Sequence, residues 1–237
     1  MRHDGRQASE LRPLRFTVGY CEYPAGSVLV ETGKTRVLCN ATVEERVPPY
    51  MIGTGKGWVT AEYSMLPAAT KDRTRRDVQS LKLSPRSAEI QRLIGRSLRS
   101  VTDLSKLDGL TITVDCDVLQ ADGGTRTASI TGGYLALWLA CESLRAQGKL
   151  AANPLTGEVA AISVGVVDGE VLLDLDYSED SRAEADFNMI MTANGEIVEL
   201  QGTGEERPFT RAELDKMLSV GQKAIAEICE ARREYMC

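Results

Sequence analysis

Leu119-Gln120-Ala121-Asp122-Gly123-Gly124-Thr125-Arg126-Thr127-Ala128-Ser129-Ile130-Thr131-Gly132-Gly133 is the stretch that decides the reading of this chain. A strand-like run, residues 110–119, ends in a double glycine, and a long apolar run begins at Ala128. The order is strand, tight turn, helix. Glycine frees the backbone to turn and lets an anion approach closely. A helix that starts here points unpaired N–H groups at that anion. Thr125 adds a hydroxyl and Arg126 a forked guanidinium. The stretch therefore reads as a phosphate seat. It lacks the Gly-Lys-Ser/Thr close of a P-loop and the spacing of a dinucleotide fingerprint. A glycine turn that merely opens a helix accounts for Gly-Gly-Thr equally well.

On the N-terminal side, residues 28–30, 36–43 and 58–63 have strand character and are separated by turn residues, which predicts an antiparallel meander. Residues 70–82 carry much charge and little apolar periodicity, which predicts a long, mobile loop. Ser84-Pro85 can cap and open a helix. Ile90, Leu93, Ile94, Leu98 and Val101 then share one face at helical spacing, while Arg92, Arg96 and Arg99 form a second stripe.

On the C-terminal side, residues 127–145 predict a helix buried on most sides. A second meander follows over residues 160–167, 170–176, 183–191 and 196–200, with turns at Asp168-Gly169 and Asn194-Gly195. Thr210 and Glu213 make a capping box for a last helix that runs to about Arg233. The expected architecture is α+β, with two meander-plus-helix halves in one compact unit over residues 1–237.

The chain has one histidine, His3, in a terminus that reads as mobile. This argues against a Ser-His-Asp hydrolase and against a His-ligated zinc site. Carboxylates, arginines and bound ions must carry the chemistry. The six cysteines form no CxxC pair and read as reduced thiols of a cytoplasmic protein, with Cys237 exposed at the end. No apolar run approaches the roughly 18 residues of a membrane span.

Net charge is −6, yet its distribution is uneven. Between Lys71 and Arg99 nine Lys/Arg face three acids, a surplus of +6 that leaves −12 on the remainder. A basic segment in an acidic protein is a local attractor for an anionic partner such as RNA, although a solvated loop and helix face would look the same.

The second chemical cluster spans residues 174–186, which hold six acids: Asp174, Asp176, Glu179, Asp180, Glu184 and Asp186. Strand alternation puts Ala183, Ala185, Phe187 and Met189 on one face and Glu184, Asp186 and Asn188 on the other. The apolar face belongs in the core, so Asp186 points outward or into a cleft. Clustered carboxylates repel unless a cation or arginines accompany them. Oxygen ligands of this kind suit Mg²⁺ or Mn²⁺. An acidic solvated hairpin is the plain alternative.

Together with the glycine stretch, three further blocks carry a family resemblance: Gly57-Trp58-Val59-Thr60-Ala61-Glu62-Tyr63-Ser64-Met65-Leu66-Pro67, Glu89-Ile90-Gln91-Arg92-Leu93-Ile94-Gly95-Arg96-Ser97-Leu98-Arg99, and Glu199-Leu200-Gln201-Gly202-Thr203. In this order they resemble the ribonuclease PH family, phosphate-dependent 3′ exoribonucleases that trim transfer RNA. The resemblance runs from about Arg2 to about Phe209 and is looser in the last helix. It implies that Arg86, Gly124, Thr125 and Arg126 bind inorganic phosphate. It implies that Asp180 and Asp186 hold a divalent metal ion or help protonate the leaving group. Phosphate would attack the 3′-terminal phosphodiester and release a nucleoside 5′-diphosphate, and the reverse reaction would add nucleotides. Such chemistry needs charge neutralisation and in-line positioning, with no covalent intermediate.

The resemblance also implies a homohexameric ring, a trimer of dimers, that admits single-stranded 3′ ends such as those of transfer RNA precursors. Arg73, Arg75, Arg76, Arg92, Arg96 and Arg99 are candidates for contact with the RNA backbone. For Arg92, Arg96 and Arg99, pairing with acids at a subunit contact is an equal reading. Some positions depart from the usual pattern. Ala68 stands where arginine is common, Lys71 for histidine, Lys56 for tryptophan, Ser84-Pro85 for glycines and Ser87 for threonine. None removes a phosphate or metal candidate, but Ala68 bears on RNA affinity. Two other readings stand beside the enzyme: a non-catalytic RNA-binding ring subunit, and a small-molecule phosphotransferase. Arg86, Thr125, Arg126, Asp180 and Asp186 argue against the first. The basic segment and the three further blocks argue against the second.

Overall fold

A computed structural model describes residues 2–76, 79 and 82–236. Two sheets enclose a central helix. The first has the order β1-β2-β3-β5-β4, with β1 Leu14–Val18, β2 Gly26–Thr32, β3 Thr35–Glu44, β4 Trp58–Met65 and β5 Thr111–Gln120. The second has the order β7-β6-β8-β9, with β6 Val159–Val167, β7 Glu170–Leu173, β8 Ala185–Thr192 and β9 Ile197–Gly204. The helices are α1 Pro85–Ser100, α2 Thr125–Ala146, the short α3 Tyr177–Asp180, and α4 Arg211–Arg233. No helix among the described residues is long and apolar enough to cross a membrane.

Helix α2 packs on β2, β3 and β5 with one side and on β6 and β8 with another. This is why its sequence is apolar all round: Ile130, Leu135, Leu137 and Ala140 are all fully buried. Close approach demands Gly132, where a Cβ would lie 2.6 Å from Val30 Cγ1. Helix α1 covers β4 and touches α2, and α4 covers the opposite face of the second sheet. The predicted stripe of α1 holds, with Ile90, Leu93, Ile94 and Leu98 fully buried. Ser84 Oγ accepts from the Ser87 N–H, and Thr210 and Glu213 form the expected capping box.

Both predicted meanders need correction. In the first sheet β1, β2 and β3 are antiparallel neighbours, but β4 runs parallel to β5 at the far edge. The cause is α1, which lies between them in the chain. A helical crossover carries the chain back to the start of the sheet, so the next strand runs parallel. Strand β1 was not anticipated. In the second sheet β8 pairs with β6, not with β7. The end of β7 is taken by the N-terminal segment, where the Leu173 N–H donates to the Ala8 carbonyl at 2.8 Å. Asp174, at φ 53°, stops β7 three residues before the predicted end at 176. Helix α3 then occupies what read as an acidic hairpin.

Where a mobile terminus was expected, Arg2 and His3 are anchored to the segment around α3. Arg2 makes a forked pair with Glu179 at 2.8 and 2.6 Å and donates to the Leu173 carbonyl. His3 Nε2 lies 3.1 Å from Asp176. Of residues 70–82, those described form no strand and no α-helix. Cys21, Cys39, Cys116, Cys141 and Cys229 are free thiols, and Cys237 lies outside the described residues.

Candidate active site

The glycine turn joins β5 to α2 much as its composition suggests. Gly123 and Gly124 both take positive φ, 76° and 66°, and Gly124 is the N-cap of α2. A side chain at Gly123 would collide with backbone: its Cβ would lie 2.6 Å from the Leu175 carbonyl oxygen and 2.9 Å from the Tyr177 nitrogen. The turn is thereby pressed against the segment that opens α3. The N–H groups of Thr125, Arg126 and Thr127 precede the first intrahelical bond of α2, from the Ala128 N–H to the Gly124 carbonyl. Helix α2 begins at Thr125, two residues before the predicted start.

Thr125 is buried, and its hydroxyl shares a 2.8 Å hydrogen bond with the Tyr63 hydroxyl at the end of β4. Arg126 is largely buried and reaches across to β9. Its Nη1 donates to Gln201 Oε1 at 3.0 Å and lies 3.6 Å from Glu89 on α1. Gln201 in turn donates to Glu89. Arg126 is thus held from two elements. Arg86, in the first turn of α1, lines a cleft of about 250 Å³ with Tyr63, Ser64, Thr74, Arg75, Ser84 and Ser87.

Asp180 ends α3, whose N-cap is Asp176. Asp186 lies on β8 opposite Gly165 of β6 and Thr203 of β9. The predicted alternation holds. Ala185, Phe187 and Met189 are buried with residues of α4, and Asp186, half-buried, takes the other face. Burial pushes the Asp186 carboxyl up to about 6, and the Asp180 charge adds to this while Arg126 opposes it. Burial also raises Asp180, and Arg86, Arg126 and Arg12 pull it back. The same arginines, 86 and 126, lower the burial-raised Tyr63 hydroxyl. Arg86 of α1 and Arg126 of α2 therefore both act on Asp180 of α3 and on Tyr63, and Asp180 and Arg126 act on Asp186 of β8.

One observation at Asp186 fits a bound cation. Asp186 Oδ1 is buried with no hydrogen-bond partner among the described residues, an open acceptor in a place where that is costly. An oxygen-only donor pair suits Mg²⁺, which keeps waters and phosphate oxygens in its shell. Among the described residues the three-ligand group with metal-ligand spacing is His3, Asp176 and Glu179, and it includes neither Asp180 nor Asp186. Its carboxylates are spent otherwise, since Glu179 holds Arg2 and Asp176 caps α3.

The RNA candidates divide. Arg73, Arg75 and Arg76 are exposed, Arg75 lining the cleft with Arg86, and Arg92 is exposed on α1. Arg96 is forked onto Glu199 at 3.0 and 2.8 Å. Arg99 lies 4.5 Å over the Trp58 ring and donates to the Val59 carbonyl. Tyr63, Glu89, Gln201 and Glu205, whose charge also raises Asp180 and Asp186, were not assigned roles from sequence. The first three lie in the quoted blocks, so a signal existed; Glu205 carried none.

The chain matches two family profiles in series: "3′ exoribonuclease family, domain 1" over residues 10–141 and "3′ exoribonuclease family, domain 2" over residues 157–224. Ribonuclease PH of Bacillus subtilis (strain 168) is 55% identical over 237 residues, covering 100% of this chain and 97% of the relative. Ribonuclease PH of Crocosphaera subtropica is 54% identical over 99% of this chain and 97% of the relative. Among solved structures, rice Rrp46 aligns with a TM-score of 0.78 at 20% identity over the whole of both chains. A chain of the Archaeoglobus fulgidus exosome with RNA bound to the active site aligns at 0.81 and 22%, over 97% of this chain and 92% of that one. These structures share the fold. With the profiles spanning most of its length and relatives more than half identical end to end, the chain belongs to the 3′ exoribonuclease family and, within it, to the ribonuclease PH group.

Proposed function

We propose that this chain trims the 3′ ends of transfer RNA precursors through the site described above. Its class of activity follows from the family: phosphorolytic 3′–5′ exoribonuclease. The observation that carries the site assignment is the convergence of two arginines and a helix N-terminus with two carboxylates of raised proton affinity.

Arg86, Arg126, the Thr125 hydroxyl and the N–H groups after Gly124 bind inorganic phosphate and neutralise its charge. Arginines suit this role because they stay protonated at neutral pH and offer forked donors. A phosphate oxygen then attacks the terminal phosphorus of RNA. The bond to the 3′ oxygen of the preceding nucleotide breaks, that oxygen takes up a proton, and a nucleoside 5′-diphosphate leaves. A Mg²⁺ ion, held by Asp180 and Asp186, would supply further neutralisation of the phosphoryl oxygens. The reverse reaction adds nucleotides from diphosphates.

Arg73, Arg75 and Arg76 grip the RNA backbone upstream of the scissile bond, with Arg92, Arg96 and Arg99 as further candidates. The working form is a homohexameric ring in the cytoplasm, and residues 1–237 of each subunit act as one domain. The test is direct. RNA with a free single-stranded 3′ end is incubated with and without inorganic phosphate. Nucleoside diphosphates that form only with phosphate are expected; monophosphates formed equally without it would overturn the reading.

A further inference from the structure

The two halves of the proposed site are tied together from behind by residues that touch neither phosphate nor RNA in that reading. Thr35, fully buried at the β2–β3 turn, stitches both sides of the glycine turn. Its hydroxyl donates to the Gly123 carbonyl at 2.7 Å and accepts from the Asp122 N–H at 2.9 Å. Arg12, whose side chain is 4% exposed, spans the gap between the turn and the acidic segment. Its Nη1 donates to the Asp122 carbonyl at 2.6 Å, and its Nη2 donates to Asp174 Oδ1 at 2.7 Å. The Arg12 backbone N–H donates to the other Asp174 oxygen at 2.8 Å.

Asp174 is itself an anchored residue. It sits at positive φ, six residues before Asp180, and its carbonyl receives Arg2 Nη2 and Arg6 Nη1. One N–H on each outer nitrogen of Arg12 is thus committed to a protein acceptor, and these two bonds join the turn to the acidic segment. Its guanidinium lies close to the turn. A Cβ on Gly124 would be 2.9 Å from Nη2, and its charge is felt at Asp180.

We propose that Arg12 and Thr35 are positioning residues of the reaction, a clamp that sets the separation between the phosphate-binding turn and the helix bearing Asp180. The turn supplies phosphate N–H groups at its end and α3 supplies Asp180 at its end. Among the described residues no other side chain is hydrogen-bonded both to the turn and to the segment leading into α3. A fork is required because one prong must hold a carbonyl and the other a carboxylate at the same time. Small errors in such spacing are costly in rate.

The inference rests on the phosphorolytic reading, and the experiment separates the two. Steady-state phosphorolysis is measured against inorganic phosphate and, separately, against RNA, for wild type, Thr35→Val, Thr35→Ser and Arg12→Lys, with thermal unfolding alongside. Thr35→Val keeps the shape and removes the hydroxyl. Its KM for phosphate is expected to rise roughly 10-fold or more, in line with the cost of misplacing reacting groups, while KM for RNA stays near wild type. Thr35→Ser is expected to restore phosphate KM. Arg12→Lys keeps the charge beside Asp174 and loses the fork, and it should behave like Thr35→Val. A folded Thr35→Val with wild-type phosphate KM overturns the clamp. So does a uniform fall in kcat with both KM values unchanged, which marks a purely structural role. If wild type itself shows no phosphate dependence, the functional reading fails first, and the clamp with it.

Discussion

The Tyr63 and Thr125 hydroxyls meet at 2.8 Å in a buried position, joining the last buried residue of β4 to the first residue of α2. The bond fixes the direction in which the Thr125 hydroxyl can offer its proton or lone pair. Tyr63→Phe removes that constraint and leaves the ring in place. One neutral hydrogen bond is worth about 1 kcal/mol, so kcat/KM for phosphate should fall by about fivefold. The check is a phosphate titration of the rate; a larger loss shared by RNA KM would place Tyr63 in direct contact with RNA.

Arg126 is held by Gln201 and Glu89, so its guanidinium is aimed before phosphate arrives. Arg126→Ala is expected to lower turnover by roughly 10²-fold or more, the cost of one preorganised oxyanion donor. Gln201→Leu removes the support but keeps the cation, and its loss should be smaller and confined to phosphate KM. Equal losses in the two variants would mean that Gln201 contacts substrate. An unchanged phosphate dependence in folded Arg126→Ala would make the arginine structural.

Much of this site was legible from local chemistry. The double glycine, the caps of α1 and α4 and the alternation through Ala185, Asp186 and Phe187 all follow from rules that act over a few residues. What the sequence hid was long-range. The parallel pairing of β4 with β5 depends on α1 crossing over, and no local pattern announces it. The anchoring of Arg2, Arg6 and Arg12 depends on acceptors some 110 to 177 positions away, so a polar terminus read as mobile. Arg96 and Arg99 looked like one basic stripe with Arg92, but an acid on β9 and a ring on β4 take them up.

Asp186 should make the metal requirement depend on pH. Its carboxyl titrates near 6, raised mainly by burial, so below pH 6 the proton competes with any cation for the same oxygens. The Mg²⁺ concentration for half-maximal rate is expected to rise as pH falls from 7 to 5 and to level off above 7. The stability sign follows from the same shift. A raised carboxyl stabilises the fold when protonated, and that contribution is lost as pH rises through about 6. Asp186→Asn should therefore raise the thermal midpoint at pH 8 without Mg²⁺, give no gain at pH 4, and abolish activity at both. A Mg²⁺ midpoint independent of pH would remove Asp186 from the metal site.

Salt dependence should separate the two groups of arginines. Arg73 and Arg76 are exposed on either side of the cleft-lining Thr74 and Arg75, whereas Arg96 is already forked onto Glu199 and gains less by meeting a phosphate. Each RNA phosphate contact contributes about 0.7 to the slope of log affinity against log salt for single strands. Replacing Arg73 and Arg76 together by alanine should flatten that slope by about 1.4, and Arg96→Ala should leave it close to wild type. Ala68 sharpens the contrast, because the loop carries no arginine at that position to share the load. Cleavage of a very short substrate should suffer less than that of a long one, since the groups around Thr125 and Asp186 are untouched. Filter binding or anisotropy over a salt series, with long and short RNA, reads both effects. Should the double variant keep the wild-type slope while Arg96→Ala loses part of it, the grip on RNA lies along α1, and the Arg96–Glu199 pair must open to make it.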